Sequence, residues 1–201
     1  MAQTMNVKDY VWVYNLLKPD FCDEILTSLK NTKWKEWEWY TLYGNVNSND
    51  VKRRDHLDEV NKKTIPELEI CMIDTLIMDR ILPILVRATT QYTYRFNPPI
   101  KGTIAQIANQ FSLVRIHKYN EGASMARHID HSSTTSHPIL TVVGILNDES
   151  EYEGGQFIMF DDYEVKLKKG DVVIFPSNFM FPHEVKIVTK GVRYSFTTWA
   201  S

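Results

Sequence analysis

His128 and Asp130 stand two apart in Met125-Ala126-Arg127-His128-Ile129-Asp130, and His183 stands far downstream in Phe181-Pro182-His183-Glu184-Val185. The first stretch reads as a strand or the end of one. Side chains two apart on a strand share a face, so His128 and Asp130 can grip one ion while Ile129 turns away. Only a folded sheet could bring His183 alongside. Two imidazoles and a carboxylate on one face of an octahedral ion leave three adjacent positions open, the arrangement that suits oxygen chemistry at non-haem Fe(II). Zinc could take the same donors.

Arg193 follows in Gly191-Val192-Arg193-Tyr194-Ser195-Phe196-Thr197-Thr198-Trp199, an apolar and aromatic strand pattern that would bury much of a guanidinium. A buried arginine needs an anion, and its planar fork fits a carboxylate held by two parallel hydrogen bonds. Ser195 would share its face and could add another. A metal triad followed by this pair suggests that metal and arginine hold opposite ends of a dicarboxylate. Zinc hydrolysis has no use for such a distant clamp.

At these residues the chain resembles the Fe(II)/2-oxoglutarate-dependent dioxygenases, and within them the prolyl 4-hydroxylase-like branch. The resemblance rests on Tyr119-Asn120-Glu121-Gly122 leading to His128-Ile129-Asp130, then Glu153-Gly154-Gly155-Gln156-Phe157. Lys169-Gly170-Asp171-Val172-Val173-Ile174-Phe175-Pro176-Ser177, Pro182-His183-Glu184-Val185 and Gly191-Val192-Arg193-Tyr194-Ser195 complete the set. It spans roughly residues 110–200; the N-terminal half resembles the family in pattern only. The resemblance implies Fe(II) on His128, Asp130 and His183, with 2-oxoglutarate and O2 as cosubstrates and ascorbate as a candidate reductant. It places Arg193, Ser195 and Tyr119 at the cosubstrate. The implied reaction hydroxylates an unactivated C–H bond while 2-oxoglutarate yields succinate and carbon dioxide. Related halogenases lack the metal-binding carboxylate, so Asp130 favours hydroxylation. Oxygen-sensing prolyl hydroxylases carry a tyrosine before a Leu-Asn pair, where this chain has Ile145-Leu146-Asn147; Thr141 is a candidate to supply the hydrogen bond lost there.

Positioning such a site requires a β-rich scaffold, and the second half reads as strands at 104–118, 125–130, 139–147, 155–160, 163–168, 171–175, 181–188 and 191–200. Eight strands with short glycine turns predict a double-stranded β-helix, or jelly roll. The expected class is α+β, mainly β, with N-terminal helices packed on an outer sheet face. One domain of 201 residues is expected, 1–103 as support and 104–201 as core. In the support region, 7–17 reads as a strand, and Pro19 and Asp20 open a helix through Leu29. Trp37, Trp39 and Thr41 alternate as in a strand. A helical possibility lies at 51–57. A long helix is expected from about 65 to 89, with a capping box at Thr64 and Glu67 and a kink or break at Pro83. Asp161-Asp162 reads as a hairpin turn.

A net charge of −2 gives no reason to expect nucleic acid as partner. No apolar run is long enough to span a membrane, and the N-terminus lacks a signal peptide's layout. Cys22 and Cys71, both in predicted helices, form no disulfide framework, which points to the cytoplasm. His56, His117, His131 and His137 read as packed or solvent-facing residues. His131 rivals His128, but it should face away from Asp130. Trp34, Trp37 and Trp39 read as packing aromatics. Substrate choice should lie in loops at 44–63, 120–124 and 132–137, with Arg127 facing either substrate or solvent. The resemblance favours a peptide or protein substrate. A hydroxylase of a small molecule or free amino acid is the alternative, and a non-catalytic jelly-roll binding module is the third reading. The oligomeric state is not legible.

Overall fold

The computed structural model describes residues 6–36, 38–41, 44–47, 68–73, 75–96, 108, 110–130 and 138–201. Its layers are clearest at β12 (Asp171–Pro176). Val172 and Ile174 join a cluster beneath the helices, while Val173 and Phe175 join a second cluster between two sheets. A strand covered on both faces needs a continuous apolar run, and this one has it.

The larger sheet runs in the order β1 (Trp12–Asn15), β12, β8 (Leu140–Ile145), β15 (Arg193–Ala200), β6 (Arg115–Tyr119), β5 (Leu68–Met72) and β2 (Lys35–Glu36). Every neighbouring pair is antiparallel. The smaller sheet is β11 (Tyr163–Val165), β10 (Phe157–Met159), β13 (His183–Val185) and β7 (Met125–His128). Between the sheets lie Met125, Val143, Phe157, Val173, Phe175, Phe181 and Val185. Two short ladders, β3 (Glu38–Thr41) with β4 (Gly44–Asn47) and β9 (Tyr152–Gly154) with β14 (Val188–Gly191), complete a mainly β jelly roll.

Helices α1 (Pro19–Ser28) and α2 (Thr75–Phe96) cover the outer face of the larger sheet. Proline at the start of α1 costs nothing, because the first N–H groups of a helix have no partner within it. On α2, Ile77, Ile81, Leu85, Ala88 and Tyr92 form the stripe that a period of 3.6 demands. These residues meet Ile116, Val142, Ile174 and Phe196 of the sheet. Among the described residues no helix is long and apolar enough to cross a membrane.

Several expected boundaries move. The segment at 7–17 is a 3-10 turn, Val7–Tyr10, followed by β1; Asn6 and Asp9 cap the turn and end the extended reading. The helix expected at 65–89 is β5 followed by α2. Its first part pairs with β6, so sheet pairing overrides local helical pattern, and Cys71 lies in a strand. Pro83 is exposed inside α2, which continues through it to Phe96. The strand expected at 104–118 is shorter: Phe111 makes one bridge to Ala200, and regular pairing begins at Arg115. The stretch 181–188 divides into β13 and β14, which belong to different ladders. Asp161 and Asp162 do lie in the β10–β11 turn, where Phe160 and Asp161 take positive φ. The helix expected at 51–57, the capping box at Thr64 and Glu67, and Trp37 lie outside the described residues.

Candidate active site

Pairing of β7 with β13 places His128 directly opposite His183, with ring centroids 4.2 Å apart. Each ring is turned by the chain two residues before it. Nδ1 of His128 lies 2.8 Å from the Ala126 carbonyl oxygen, and Nδ1 of His183 lies 3.1 Å from that of Phe181. A carbonyl can only accept, so each Nδ1 donates and each Nε2 can present a lone pair. Asp130 lies just past the end of β7, and its carboxylate bridges the two imidazoles. Oδ1 is 3.5 Å from His128 Nε2, and Oδ2 is 3.5 Å from His183 Nε2. All three donor atoms lie within 4.8 Å of one another.

The electrostatics suit a cation. Burial first, and then His128, push the His183 pKa down to about 4, so this imidazole is neutral at pH 7. Burial works against the Asp130 charge, but His183, His128 and the hydrogen bond from Thr141 outweigh it and hold the carboxyl well below the usual range. Thr141 Oγ1 donates to Asp130 Oδ2 at 2.6 Å and lies 2.9 Å from Ser177 Oγ. A hydroxyl that fixes a ligating carboxylate is a common outer partner at metal sites. Thr141, a candidate for the hydrogen bond lost at Ile145, here gives its hydroxyl to Asp130. Two imidazoles and one carboxylate could hold Fe(II) here.

Arg193 lies across the strand pair from Tyr119, and Ser195 lies across from His117. The Arg193 side chain is 1% exposed, and its Nη1 donates to Ser195 Oγ at 3.1 Å. Its guanidinium sits 5.0 Å from the centre of the Tyr119 ring. Among the described residues no Asp or Glu forms an ion pair with Arg193. A buried guanidinium without a carboxylate is costly, and an incoming anion removes that cost. These residues fit the far carboxylate of 2-oxoglutarate.

Burial raises the Tyr119 pKa to about 12 against the opposing pull of Arg193, which keeps the phenol protonated. Tyr152, raised by burial and likewise opposed by Arg193, is a neighbour that sequence reasoning missed. Its signal was its place just before Glu153-Gly154-Gly155. That turn matters sterically: Gly155 has φ +65°, and a Cβ there would lie 2.8 Å from Arg193 Cδ. The arginine reaches its place because this position has no side chain.

Among the remaining histidines, His117 is fully buried, and burial, then Arg115 and Arg193, push its pKa down to about 3. It packs as a neutral ring on the face that carries Arg193. His56, His131 and His137 lie outside the described residues. Arg127 is half-exposed and pairs with Asp161 at 2.8 Å. Trp34 packs against Tyr194 and Lys118. Of the three loops expected to choose substrate, residues 120–124 are tied down by Gly122 N–H donating to the Val188 carbonyl at 2.6 Å. At 44–63 only β4 is described, and 132–137 lie outside the described residues.

Residues 114–201 match the family model described as "2OG-Fe(II) oxygenase superfamily". A PKHD-type hydroxylase of Xylella fastidiosa strain M23 is 37% identical over 91 residues, which cover 41% of this chain and 39% of that protein. The chain thus spans about two fifths of the length of the curated relatives it matches. In fold it is similar to a prolyl-4-hydroxylase of Pseudomonas putida, with TM-score 0.60, 20% identity, and coverage of 95% of this chain and 91% of the other. A prolyl hydroxylase of Trichoplax adhaerens, solved with a hypoxia inducible factor peptide fragment, gives TM-score 0.65 at 19% identity, covering 95% and 83%. Residues 114–201 are thus similar to the 2OG-Fe(II) oxygenase superfamily, and the fold is that of the two prolyl hydroxylase structures.

Proposed function

We propose that this chain is an Fe(II)- and 2-oxoglutarate-dependent dioxygenase that hydroxylates a prolyl residue of a peptide or protein. One observation carries the reading: a cage of three metal donors shares its chamber with Arg193, a buried cation that no described carboxylate balances. In the proposed roles His128, Asp130 and His183 hold the ion, and Thr141 fixes the orientation of Asp130. Arg193 and Ser195 take the far carboxylate of the cosubstrate, with the Tyr119 phenol beside them as a neutral donor. When bound, Fe(II) with 2-oxoglutarate and O2 supplies the oxidising power for C–H hydroxylation. Phe157 and Phe175, both close to the His183 ring, keep bulk water from that side of the chamber.

The prolyl substrate is supported by the names of the similar structures, and a peptide partner by the fragment bound to the Trichoplax protein. Ascorbate would serve to restore Fe(II) after uncoupled turnover. The two buried free cysteines suit a reducing cytoplasm.

The test is an anaerobic titration of 2-oxoglutarate into Fe(II)-loaded protein, followed by oxygen and proline-containing peptides. A visible metal-to-ligand band and a peptide heavier by one oxygen atom are expected, with one succinate per product. Absence of 2-oxoglutarate binding would sink the dioxygenase reading. Turnover of free amino acids but never of peptides would replace the prolyl-peptide substrate.

A further inference from the structure

Phe160 and Asp161, in the turn between β10 and β11, take φ of 54° and 74°. Among the described residues they are the only non-glycine positions with positive φ. Aspartate tolerates this left-handed region, but a bulky phenylalanine there is strained. Such a conformation persists only where its surroundings over-determine it, and it is found beside functional groups more often than elsewhere. The nearby pairing of the two imidazoles needs outside support. His128 ends β7 and His183 begins β13, so they form the last rung of their ladder, and the register slips before the next rung at Val185 and Met125.

Three anchors hold the turn. The Phe160 N–H donates to the Pro182 carbonyl at 3.1 Å, and its ring meets that of Phe181 edge-on at 5.7 Å. Asp161 takes two arms of Arg127, 2.8 Å from Nε and 3.3 Å from Nη2. Asp162 lies 3.6 Å from Lys8 Nζ, which also sits over the Tyr163 ring. The first two anchors reach the residues immediately before the two histidines. Pro182 precedes His183, whose Nδ1 donates to the Phe181 carbonyl, and Arg127 precedes His128. Met159, the last residue before the turn, also pairs in register with His183.

We propose that the Phe160–Asp161–Asp162 turn is a brace that sets the separation of the two imidazoles before a metal ion arrives. Phe160 positions His183 through Phe181 and Pro182, and Asp161 positions His128 through Arg127. Neither residue touches the ion, so both are positioning residues. Donors at a metal site must be held within about 0.5 Å of the productive geometry. Glycine would suit the backbone at 160 better, but it has no ring to set against Phe181. The inference rests on the metal-holding part of the reading above and deepens it.

Chelator competition with Co(II), whose visible absorption reports the geometry of its ligands, tests this beside chemical denaturation of the metal-free protein. Phe160→Gly is expected to weaken Co(II) binding about tenfold, the low end for outer partners of metal ligands, and to alter the absorption band. Its denaturation midpoint should move little, because relief of the strained φ offsets the lost ring contact. Phe160→Tyr keeps the ring and should bind Co(II) like the wild type. Asp161→Asn suits the same φ without the charge; it and Arg127→Met should each give a smaller loss, and the double variant no more than either alone. An exposed ion pair adds little to stability, so a change of affinity in these variants reports position rather than folding. Additive losses would overturn the Arg127–Asp161 arm. Unchanged affinity and spectrum in Phe160→Gly, or losses that only follow the folded fraction, overturn the brace. Failure of the wild type to bind either Co(II) or Fe(II) is a separate result, which removes the metal-holding reading and the brace with it.

Discussion

On β15, Tyr194, Phe196 and Ala200 face the helices, whereas Arg193, Ser195 and Trp199 alternate with them toward the second sheet. The same division runs through β8, where Val142 belongs to the outer cluster and Thr141 to the metal side. The outer cluster contains aliphatic and aromatic side chains packed from two helices and one sheet. The inner face mixes Val143, Val173 and Phe175 with a guanidinium, three imidazoles, a carboxylate and hydroxyls. Burial of apolar area stabilises the first face, while buried polar groups make the second costly unless ligands satisfy them. Folding is anchored on one side of the sheet, and the candidate site lies on the other. A substitution should therefore reveal which side it touched.

The sharpest separation comes from His183→Ala. Fe(II) binding and turnover should be lost, while chemical denaturation without metal shows stability unchanged or raised, because a buried polar ring has gone. A large loss of stability in this variant would erase the distinction between faces. Next comes Leu85→Ala on α2, expected to cost about 2–5 kcal/mol of folding free energy. Its folded fraction should bind 2-oxoglutarate like the wild type in calorimetry; weakened binding would mean that the faces communicate. Thr141→Val keeps the shape and removes the hydroxyl. Competition with a chelator should show metal affinity falling about 10–100-fold, the range for outer partners of metal ligands. No change would mean that Asp130 needs no support.

The smallest effect at neutral pH emerges only on acidification. His117 titrates near 3 in the fold against 6.5 for an exposed ring, so the unfolded chain takes up its proton first. Its contribution to stability is complete above pH 6.5 and is lost as pH falls from there toward 3. Asp130, held below its usual range, acts with the same sign. Metal-free protein should lose stability across this window, and His117→Gln should flatten the slope while Leu85→Ala only lowers the curve. A slope unchanged in His117→Gln would assign the acid sensitivity to other groups.

How far the sequence spoke depended on whether a feature was local. The apolar run of β12 and the 3.6-residue stripe of α2 are periodic, and periodicity survives folding. The early start expected for the long helix failed because Leu68–Met72 takes its conformation from pairing with β6, a partner distant in sequence. At the candidate site, the grouping of His128, Asp130 and His183 and the shared face of Arg193 and Ser195 were legible from residue type and order. Their supports were not. The bond from Thr141 to Asp130 was not foreseen, because it depends on where the chain turns after β7. Tyr152 and the need for glycine at 155 arise from how β9 passes Arg193, a juxtaposition that no local spacing encodes.

The short strand β1 has a consequence beyond its size. It is four residues long, it closes the flank of the sheet next to β12, and two outside contacts pin its neighbourhood: Tyr92 donates to the Tyr10 carbonyl at 2.7 Å, and Arg95 stacks 3.4 Å over Trp12. Loss of that segment would uncover unpaired amides and carbonyls along β12 between Asp171 and Ile174. Such an edge, β-branched over Val172, Val173 and Ile174, is a template for self-association. β1 thus acts as a guard against aggregation, and its hold on α2 links the solubility of the jelly roll to the docking of a helix on its far face.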